Sequence, residues 1–370
     1  MRIIYDGQAF SFQEYGGISR YFFQLLKEFQ HKKNTSAELI ISYSNNHYIE
    51  NIEELRISKF FPNFRFKGRN EIIKWLNQSY LKKQIDNIKS AFIFHPTYYN
   101  PYFLDILKED IPFVLTVHDM THERFPGSFN KFDFSAKQKK MVALRADRII
   151  TISEFTKRNI IEILGIPAGK IDVIYHGNSL YPNNNSIKKT VLPKNYVLFV
   201  GQRNTYKNFE FFIKALSLLI KHDESLYIIC AGGRKFSMKE FKLFEQLGIQ
   251  NNILQMKVSD DVLAQLYSNA QVFVFPSLYE GFGIPVLEAF NCGCPALLSN
   301  RSSLPEIGGN AAIYFDPEDE QSLIFSLRKI IGNSDLRNEL IKKGYERAKL
   351  FSWQLAANKT LETYKKIWNY

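Results

Sequence analysis

Cysteine is scarce in this chain, and its scarcity argues against a fold held together by disulfides. The 370 residues contain three cysteines, Cys230, Cys292 and Cys294, and each lies in an apolar stretch. An odd number of cysteines in such surroundings indicates buried free thiols and a reducing compartment. The Cys-x-Cys pair is interpreted as packing and not as a metal site.

Long hydrophobic runs are also missing. No stretch approaches the roughly 18 consecutive apolar residues expected of a membrane-spanning helix. The apolar residues that follow Met1 are too few and too interrupted for a secretory signal, and no low-complexity tract is present. We therefore expect a cytoplasmic protein without a membrane span.

Acidic residues are fewer than basic ones, and the formal net charge is +11. Such a basic chain favours an anionic partner, and a nucleotide, a nucleic acid or a negatively charged membrane surface would each satisfy this condition. The sign of the charge does not choose among them.

The sequence does contain a repeated alternation of short apolar runs with amphipathic segments, which predicts a doubly wound α/β fold with parallel sheets. In the first half, strands are predicted at 2–6, 38–43, 91–95, 112–117, 148–153 and 171–175, with helices at 18–30, 135–145 and 154–164. The polar stretch 178–189 is predicted to link the two halves. In the second half, strands are predicted at 196–201, 226–231, 271–275, 295–299 and 311–315.

The end of the chain carries apolar residues at helical spacing, which predicts a helix packed on a surface. These residues are Trp353, Ala357, Leu361, Tyr364 and Trp368. In a two-domain chain such a helix can cross back to the first domain. The predicted division is therefore 1–180 for one Rossmann-like domain, 190–350 for a second, and 351–370 for a C-terminal helix packing on the first.

The strongest motif is the run 273–288, FVFPSLYEGFGIPVLE, which joins an apolar strand, a glycine-containing loop and a helix start at Pro285. Ligands of parallel sheets bind beyond the carboxyl ends of the strands, so Glu280 is expected to face the ligand. The loop amides that follow are expected to point the same way: Gly281, Phe282, Gly283 and Ile284. Glu288 lies about one helical turn later, where a carboxylate can accept hydrogen bonds from hydroxyls. The alternative is two solvated glutamates beside a structural helix start.

A second cluster, GQRNTYKN at 201–208, lies between the first strand of the second half and the next helix. Arg203 and Lys207, with a helix N-terminus near Asn208, suit a cradle for a pyrophosphate. Two fixed cations can stabilise a leaving diphosphate without a metal ion. The alternative is two solvated cations on a loop.

The Glu-x7-Glu spacing around Gly-Phe-Gly-Ile-Pro resembles the signature of the family 4 glycosyltransferases, and the resemblance covers nearly the whole chain. The Arg-x3-Lys spacing followed by Asn208 also fits the family pattern. The resemblance implies the GT-B fold, in which two Rossmann-like domains face each other across a cleft. It also implies retaining, metal-independent sugar transfer from a nucleotide donor. It places Glu288 on the nucleotide ribose and Glu280 on hydroxyls of the donor sugar, with Arg203 and Lys207 stabilising the departing diphosphate.

Further strand ends gain roles from the same resemblance. Gly16 and Gly17 precede a helix, and they match the family's donor-facing glycine loop between the first strand and the first helix, although alone they indicate only a turn. His118 matches a histidine that sits beside the reacting carbon of the donor in similar enzymes, while a histidine in this place is otherwise more often structural. Asp119 would orient His118 or bind the acceptor. His95 is predicted either to line the acceptor side or to pack in the core.

The segment 56–83 is rich in both cations and aromatic residues. Its cations are Arg56, Lys59, Arg65, Lys67, Arg69, Lys74, Lys82 and Lys83, against a single glutamate. Its aromatic residues are Phe60, Phe61, Phe64, Phe66 and Trp75. This composition suits contact with an anionic membrane, a nucleic acid whose bases stack on the rings, or a solvated helix over a core face. Because similar enzymes often use lipid-linked acceptors, the membrane is preferred, with Lys59, Phe60, Phe61, Arg65, Lys67 and Arg69 as the predicted contacts and no nucleic acid expected.

The function predicted from these features is transfer of a hexose from a nucleotide-diphosphate sugar to a glycan or lipid-linked acceptor, as in bacterial surface polysaccharide synthesis. The resemblance is greatest to mannosyltransferases, which makes GDP-mannose the expected donor, with no cofactor and no metal. The expected location is the cytoplasm or the cytoplasmic face of the inner membrane. The alternatives are a nucleotide-sugar epimerase or phosphorylase of the same architecture, and a non-catalytic sugar-nucleotide or nucleic-acid binding protein.

Overall fold

The structure is a computed structural model that describes residues 1–50, 52, 57–64, 66–182, 191–203 and 205–368. The chain divides into two units: unit 1 contains Met1–Gly177 and Trp353–Tyr370, and unit 2 contains Asn178–Ser352. The predicted linker begins at the border between them, and its residues 183–189 lie outside the described part. No helix in the described part is both long and apolar enough to cross a bilayer.

The described residues of unit 1 form parallel strands throughout, as predicted from the alternating pattern. The strands are β1 Arg2–Asp6, β2 Ser36–Ile40, β3 Ile93–His95, β4 Val114–Val117, β5 Arg148–Thr151 and β6 Ile171–Val173. They form two sheets, β2-β1-β3 and β4-β5-β6. A single parallel bridge between Phe94 and Phe113 joins β3 to the start of β4, so the carboxyl ends of all six strands lie along one edge.

Helices of unit 1 agree with the prediction in the second half of the unit and depart from it in the first. They are α1 Gln8–Phe12, α2 Gly17–Gln30, α3 Arg69–Asp86, α4 Thr121–Arg124, α5 Ser135–Arg145 and α6 Glu154–Leu164. The short α1 separates β1 from the glycine loop, which therefore does not connect the first strand directly to the first helix as expected. Helix α3 was not predicted, because its buried positions carry polar Arg69 and Asn77 among the apolar ones.

Unit 2 contains a six-stranded parallel sheet in the order β12-β11-β10-β7-β8-β9. Its strands are β7 Asn195–Val200, β8 Leu226–Ala231, β9 Ile253–Met256, β10 Val272–Phe275, β11 Ala296–Ser299 and β12 Ala312–Phe315. Its helices are α7 Phe209–Ile220, α8 Met238–Leu247, α9 Asp260–Asn269, α10 Ile284–Asn291, α11 Leu304–Gly308, α12 Glu320–Ile331 and α13 Ser334–Ala348. Strands covered by helices on both faces read as continuous apolar runs, and the VLFV end of β7 is one of them. The exposed Leu254 interrupts such a run in β9, which was not predicted as a strand.

The last helix, α14 Trp353–Lys365, packs on α2 and belongs to unit 1, as the sequence predicted. Its buried face carries Trp353 and Tyr364, both part of the same hydrophobic core as β1 and α2. The Tyr364 hydroxyl lies 2.7 Å from the Tyr5 hydroxyl and 2.6 Å from His95 Nδ1. Hydrogen bonds as well as apolar burial therefore hold this distant segment of sequence on the unit.

Replacing Tyr364→Phe should destabilise unit 1 by about 1–3 kcal/mol, because it leaves the buried hydroxyl of Tyr5 and the ring of His95 short of a partner. The measurement is calorimetric or chemical denaturation of the full chain. Tyr181→Phe, which removes an exposed hydroxyl, is the matched control and should be neutral. Equal stability of the two variants would show that the buried hydroxyl makes no net contribution.

Candidate functional site

The strand order of unit 2 reverses direction between β7 and β10. Loops on either side of such a switch point diverge toward opposite faces of the sheet, which leaves room for a ligand beyond the carboxyl ends of the strands. Lys207 lies in the loop after β7, and Glu280 lies in the loop after β10. The two residues predicted from separate motifs therefore flank the same position.

The structure brings these two side chains into direct contact. Lys207 Nζ lies 2.7 Å from Glu280 Oε1, and the ammonium also lies 5.2 Å from the centre of the Phe275 ring. The backbone amide of Leu278 donates a hydrogen bond to the Tyr206 carbonyl at 2.8 Å, which ties the two loops together. Both side chains are half-buried, so the ion pair is partly shielded from water.

The loop that carries Glu280 is held from below by two serines in the loop after β11. Ser302 Oγ accepts a hydrogen bond from the Glu280 backbone amide at 3.0 Å. Ser303 Oγ donates to the carbonyl oxygens of Glu280 and Phe282 at 2.9 and 2.8 Å. Gly283 then enters α10 with φ +112°, and a β-carbon there would lie 3.1 Å from Leu304 Cδ2. Only glycine adopts this conformation without strain, so the loop shape depends on it.

Glu288 lies in the second turn of α10 and is almost completely buried. The Tyr267 hydroxyl donates to Glu288 Oε2 at 3.3 Å. Burial, and then the neighbouring carboxylate, raise the pKa of Tyr267 well above its ordinary value, so the phenol remains a donor. Glu288 is thus held in one orientation, while its predicted contact with a ribose stays a prediction.

Arg203 does not join Lys207, although the two were predicted to act as a pair. Its side chain is 1% exposed, and its Nε lies 2.6 Å from Glu240 Oε1. The guanidinium lies 4.8 Å from the ring of Phe236. Glu240 also accepts a hydrogen bond from the Ser237 amide in the capping box of α8. Arg203 therefore anchors its loop to α8, and among the described residues its Nη1 has no hydrogen-bond partner.

Asn208 and the glycine loop show how local geometry uses the remaining donor-side residues. Asn208 begins α7 in the left-handed conformation, φ +55°, and its Nδ2 donates to the Pro317 carbonyl at 2.7 Å. Gly16 has an extended backbone, and a β-carbon on it would meet Gln13 Oε1, which accepts a hydrogen bond from the Ser19 amide. Gly17 has open space around its α-carbon.

In unit 1, His118 lies directly after β4 and is buried. Burial lowers its pKa to about 4, so the ring is neutral near pH 7. Its backbone amide donates to the Tyr99 hydroxyl at 3.1 Å, and its ring stacks on His176 with centroids 6.0 Å apart. Within the described residues its Nε2 has no hydrogen-bond partner, which leaves this atom as the one that can meet a ligand.

A buried lysine that the sequence did not single out supports the loop after His118. Lys139 Nζ donates to the Asp119 carbonyl at 2.8 Å and to Glu123 Oε2 at 2.9 Å. Burial alone would raise the pKa of the Asp119 carboxyl, but the Lys139 charge and the Thr121 amide lower it, and the net shift is downward. The signal in the sequence was a lone lysine on the otherwise apolar face of α5.

His95 occupies the core of unit 1. Its Nδ1 lies 2.6 Å from the Tyr364 hydroxyl and its Nε2 lies 2.9 Å from Thr116 Oγ1. With both ring nitrogens engaged and the residue fully buried, this arrangement favours core packing over the acceptor contact that was also predicted. Burial lowers the pKa of His95 to about 3.

The predicted membrane contacts separate into exposed and buried residues. Arg69 is 7% exposed and ion-pairs with Glu14 at 2.7 Å, so the structure removes it from the surface because its charge has an internal partner. Lys59 is exposed but ion-pairs with Glu50, and Phe60 is half-buried. The exposed residues of the segment include Phe61, Phe64, Lys67 and Trp75. Arg65, also predicted as a contact, and Arg56 lie outside the described residues.

Two sequence profiles match the chain in succession. The family described as Glycosyltransferase Family 4 matches residues 15–180, and the one described as Glycosyl transferases group 1 matches residues 182–347. Together they span nearly all of the chain and meet within a few residues of the border between unit 1 and unit 2.

Individual proteins agree with these profiles. O-antigen chain mannosyltransferase B of Escherichia coli is 29% identical over 288 residues, which cover 74% of each chain. O-antigen chain mannosyltransferase RfbU of Salmonella typhimurium is 31% identical over 58% of this chain and 60% of its own length. The structure of sucrose-phosphate synthase from Thermosynechococcus elongatus matches with a TM-score of 0.79 at 18% identity over 99% of both chains. The last comparison concerns the fold alone, and it confirms the predicted two-domain GT-B class.

Acid should destabilise unit 1 through its buried histidines. The pKa of His118 is about 4 and that of His95 about 3 in the fold, against about 6.5 in an unfolded chain. Between these values the unfolded chain binds protons that the folded chain does not. The free energy of unfolding should therefore fall as the pH drops below about 6.5, by about 1.4 kcal/mol per pH unit for each histidine, until the folded pKa is passed.

Urea denaturation at pH 7, 6 and 5 measures this slope. His118→Gln should reduce it, whereas His222→Gln, at an exposed position, should leave it unchanged. An identical pH dependence in the wild type and His118→Gln would mean that His118 is protonated in the fold.

Proposed function

Because the chain belongs to the family 4 glycosyltransferases, we propose that it is a retaining, metal-independent enzyme that transfers mannose from a nucleotide-diphosphate donor to a glycan or lipid-linked acceptor. Glycosyl transfer follows from the family. The stereochemistry, the absence of a metal, the donor and the acceptor are the parts proposed here.

The observation that carries the proposal is the contact of Lys207 with Glu280 at the switch point of unit 2. A diphosphate placed beside Lys207 competes with Glu280 for the ammonium group. Charge-assisted bonds to phosphate are strong, so the lysine turns to the phosphate and the Glu280 carboxylate becomes available to sugar hydroxyls. Donor binding thus converts a resting ion pair into two ligand contacts.

Retention with a direct, same-face substitution fits the state of the two carboxylates. A double displacement needs a carboxylate free to attack the anomeric carbon. Glu280 is occupied by Lys207, and Glu288 is buried and hydrogen-bonded to Tyr267, which suits both for binding. In the proposed reaction the bond between the anomeric carbon and the phosphate oxygen breaks. The acceptor oxygen bonds on the same face, and its proton passes to the leaving phosphate.

Positive charge at the departing diphosphate is assigned to Lys207, without a metal ion. The amide ends of α10 and α7 add the partial positive charge of helix N-termini near the same edge of the sheet. Arg203 contributes by holding the loop against α8 in the present arrangement, and its predicted direct contact with the phosphate would require the Glu240 ion pair to open.

Mannose is proposed as the sugar because both curated relatives described above are named O-antigen chain mannosyltransferases. GDP-mannose is accordingly the proposed donor, and synthesis of a bacterial surface polysaccharide is the proposed setting. An epimerase of the same architecture would act on the nucleotide sugar with no acceptor, and product analysis with and without acceptor distinguishes the two.

We also propose peripheral contact with an anionic membrane, on the cytoplasmic face of the inner membrane, through the exposed part of segment 56–83. Phe61, Phe64 and Trp75 are 58%, 64% and 64% exposed, and the cations Lys67, Lys82 and Lys83 are exposed as well. Exposed rings suit the headgroup region, while lysines are attracted to anionic lipid. Nucleic acid is the competing partner for the same composition.

Lys207→Ala and Glu288→Gln should each reduce donor turnover about 100-fold or more, because each removes a charged contact to the donor. Turnover is measured as nucleotide release in parallel with thermal denaturation to establish that the variants fold. Lys214→Ala, an exposed lysine on α7, is the matched control. In the wild type, GDP-mannose should raise the melting temperature more than other nucleotide sugars do. Unchanged turnover in both site variants, or no stabilisation by any nucleotide sugar, would refute the assignment.

Phe61→Ser combined with Trp75→Ser should weaken sedimentation with vesicles containing anionic phosphatidylglycerol about fivefold or more. Phe325→Ser, at an exposed position in unit 2, serves as control for general loss of surface apolarity. Equal sedimentation of all three proteins would contradict the membrane contact. Salt-sensitive binding to nucleic acid that is lost in the double variant would favour the competing partner.

A further inference from the structure

Unit 1 contains a cavity of about 250 Å³ that none of the predicted site residues lines. It lies beyond the carboxyl ends of β1 and β3, between α1, α3 and α5. Its lining is Gly7, Gln8, Ser11, Phe12, Lys74, Asn77, Gln78, Tyr98, Asn100, Tyr102, Ser135 and Gln138. At about 30 Å³ per water molecule it has room for roughly eight waters, a size that suits a single sugar ring better than a nucleotide.

Two aromatic rings form one wall of the cavity. The centroids of Phe12 and Tyr98 lie 4.8 Å apart, with their planes inclined by 59°. The faces of aromatic rings carry partial negative charge, and the C–H groups of a pyranose carry partial positive charge. A wall of this kind therefore suits the apolar face of a sugar.

Neutral amides face the cavity from two different helices. Gln78 lies on α3 and Gln138 on α5, and within the described residues neither side chain makes a hydrogen bond. Each amide can donate and accept, which matches the hydroxyl group of a sugar. By contrast, Gln8 and Asn77 are tied to the protein by several hydrogen bonds and serve to hold the walls in place.

The charge of the lining argues against a phosphate ligand. Lys74 is the one ionisable lining residue with a positive charge, and its ammonium lies 5.9 Å from the centre of the Phe12 ring. Asp6, immediately behind the wall, accepts hydrogen bonds from Gln8 and the Tyr102 hydroxyl. Burial raises the pKa of its carboxyl. The surroundings are therefore mainly neutral and polar.

The cavity adjoins the residues expected to meet the transferring sugar. Tyr98 lines it, and the ring of Tyr99 lies 4.4 Å from that of Tyr98. The Tyr99 hydroxyl in turn accepts the backbone amide of His118 at 3.1 Å. A ligand in the cavity is thus separated from His118 by one pair of packed tyrosines, all within unit 1.

We propose that this cavity binds one uncharged sugar residue of the acceptor glycan, with Phe12 and Tyr98 against its apolar face and Gln78 and Gln138 on its hydroxyls. The inference rests on the proposed function, because it assigns the acceptor side of the same transfer. It narrows the acceptor to a chain whose bound residue is a neutral hexose and not a sugar phosphate.

The test uses the full chain and titrates methyl α-mannoside and methyl α-galactoside, with sorbitol and GDP as comparison ligands, by saturation-transfer NMR. At least one hexoside should bind, while sorbitol, which has no ring, should not. The double variant Gln78→Ala/Gln138→Ala should weaken hexoside binding about tenfold or more, since it removes hydrogen-bonding groups from both sides. Gln354→Ala, an exposed glutamine on α14, is the matched control and should bind as the wild type does.

Phe12→Leu, which keeps an apolar side chain but removes the ring face, provides a second variant in case the double variant is unstable, and it should weaken binding severalfold. Equal hexoside affinity in these variants and the wild type would overturn the proposal, as would competition of GDP for the same site. A wild-type protein that is stabilised by GDP-mannose yet binds no hexoside would overturn this inference alone. Absence of stabilisation by every nucleotide sugar would count against the proposed function instead.

Discussion

Parallel pairing is the constraint on which the organisation of both units depends. Because each strand runs in the same direction, the loops that follow the strands gather at one edge of the sheet. In unit 2 this edge holds Lys207 after β7 and Glu280 after β10, 73 positions apart in sequence but joined by a 2.7 Å contact. In unit 1 the corresponding edge holds His118 and the cavity lined by Tyr98.

Buried charges position these loops more than they take part in them. Arg203 pairs with Glu240, Lys139 pairs with Glu123, and Arg69 pairs with Glu14, and in each pair the basic side chain is buried. An unpaired charge in such a place would be costly, so each pair links one loop to one helix in a defined arrangement. The cation count of a segment therefore overstates the charge that it offers to a ligand or a membrane.

The resting site is also an electrostatically balanced one. Lys207 neutralises Glu280, and the Tyr267 hydroxyl supports Glu288. A donor that carries both phosphate and hydroxyl groups can satisfy the members of the Lys207–Glu280 pair separately, whereas phosphate alone would leave the carboxylate without its partner. This property favours recognition of the intact nucleotide sugar in the proposed reaction.

Primary sequence was sufficient for the α/β class, for most strands and for the family, because apolar periodicity and the spacing of Glu280 and Glu288 are local properties of the chain. It was also sufficient to predict that α14 returns to the first domain, since its apolar stripe needed a surface to cover. It did not reveal α3, whose buried face includes Arg69 and Asn77, nor the partners of Arg203 and His95. Those depend on which distant side chains meet in the fold, Glu240 for Arg203 and Tyr364 for His95, and spacing along the chain carries no information about contacts of that range.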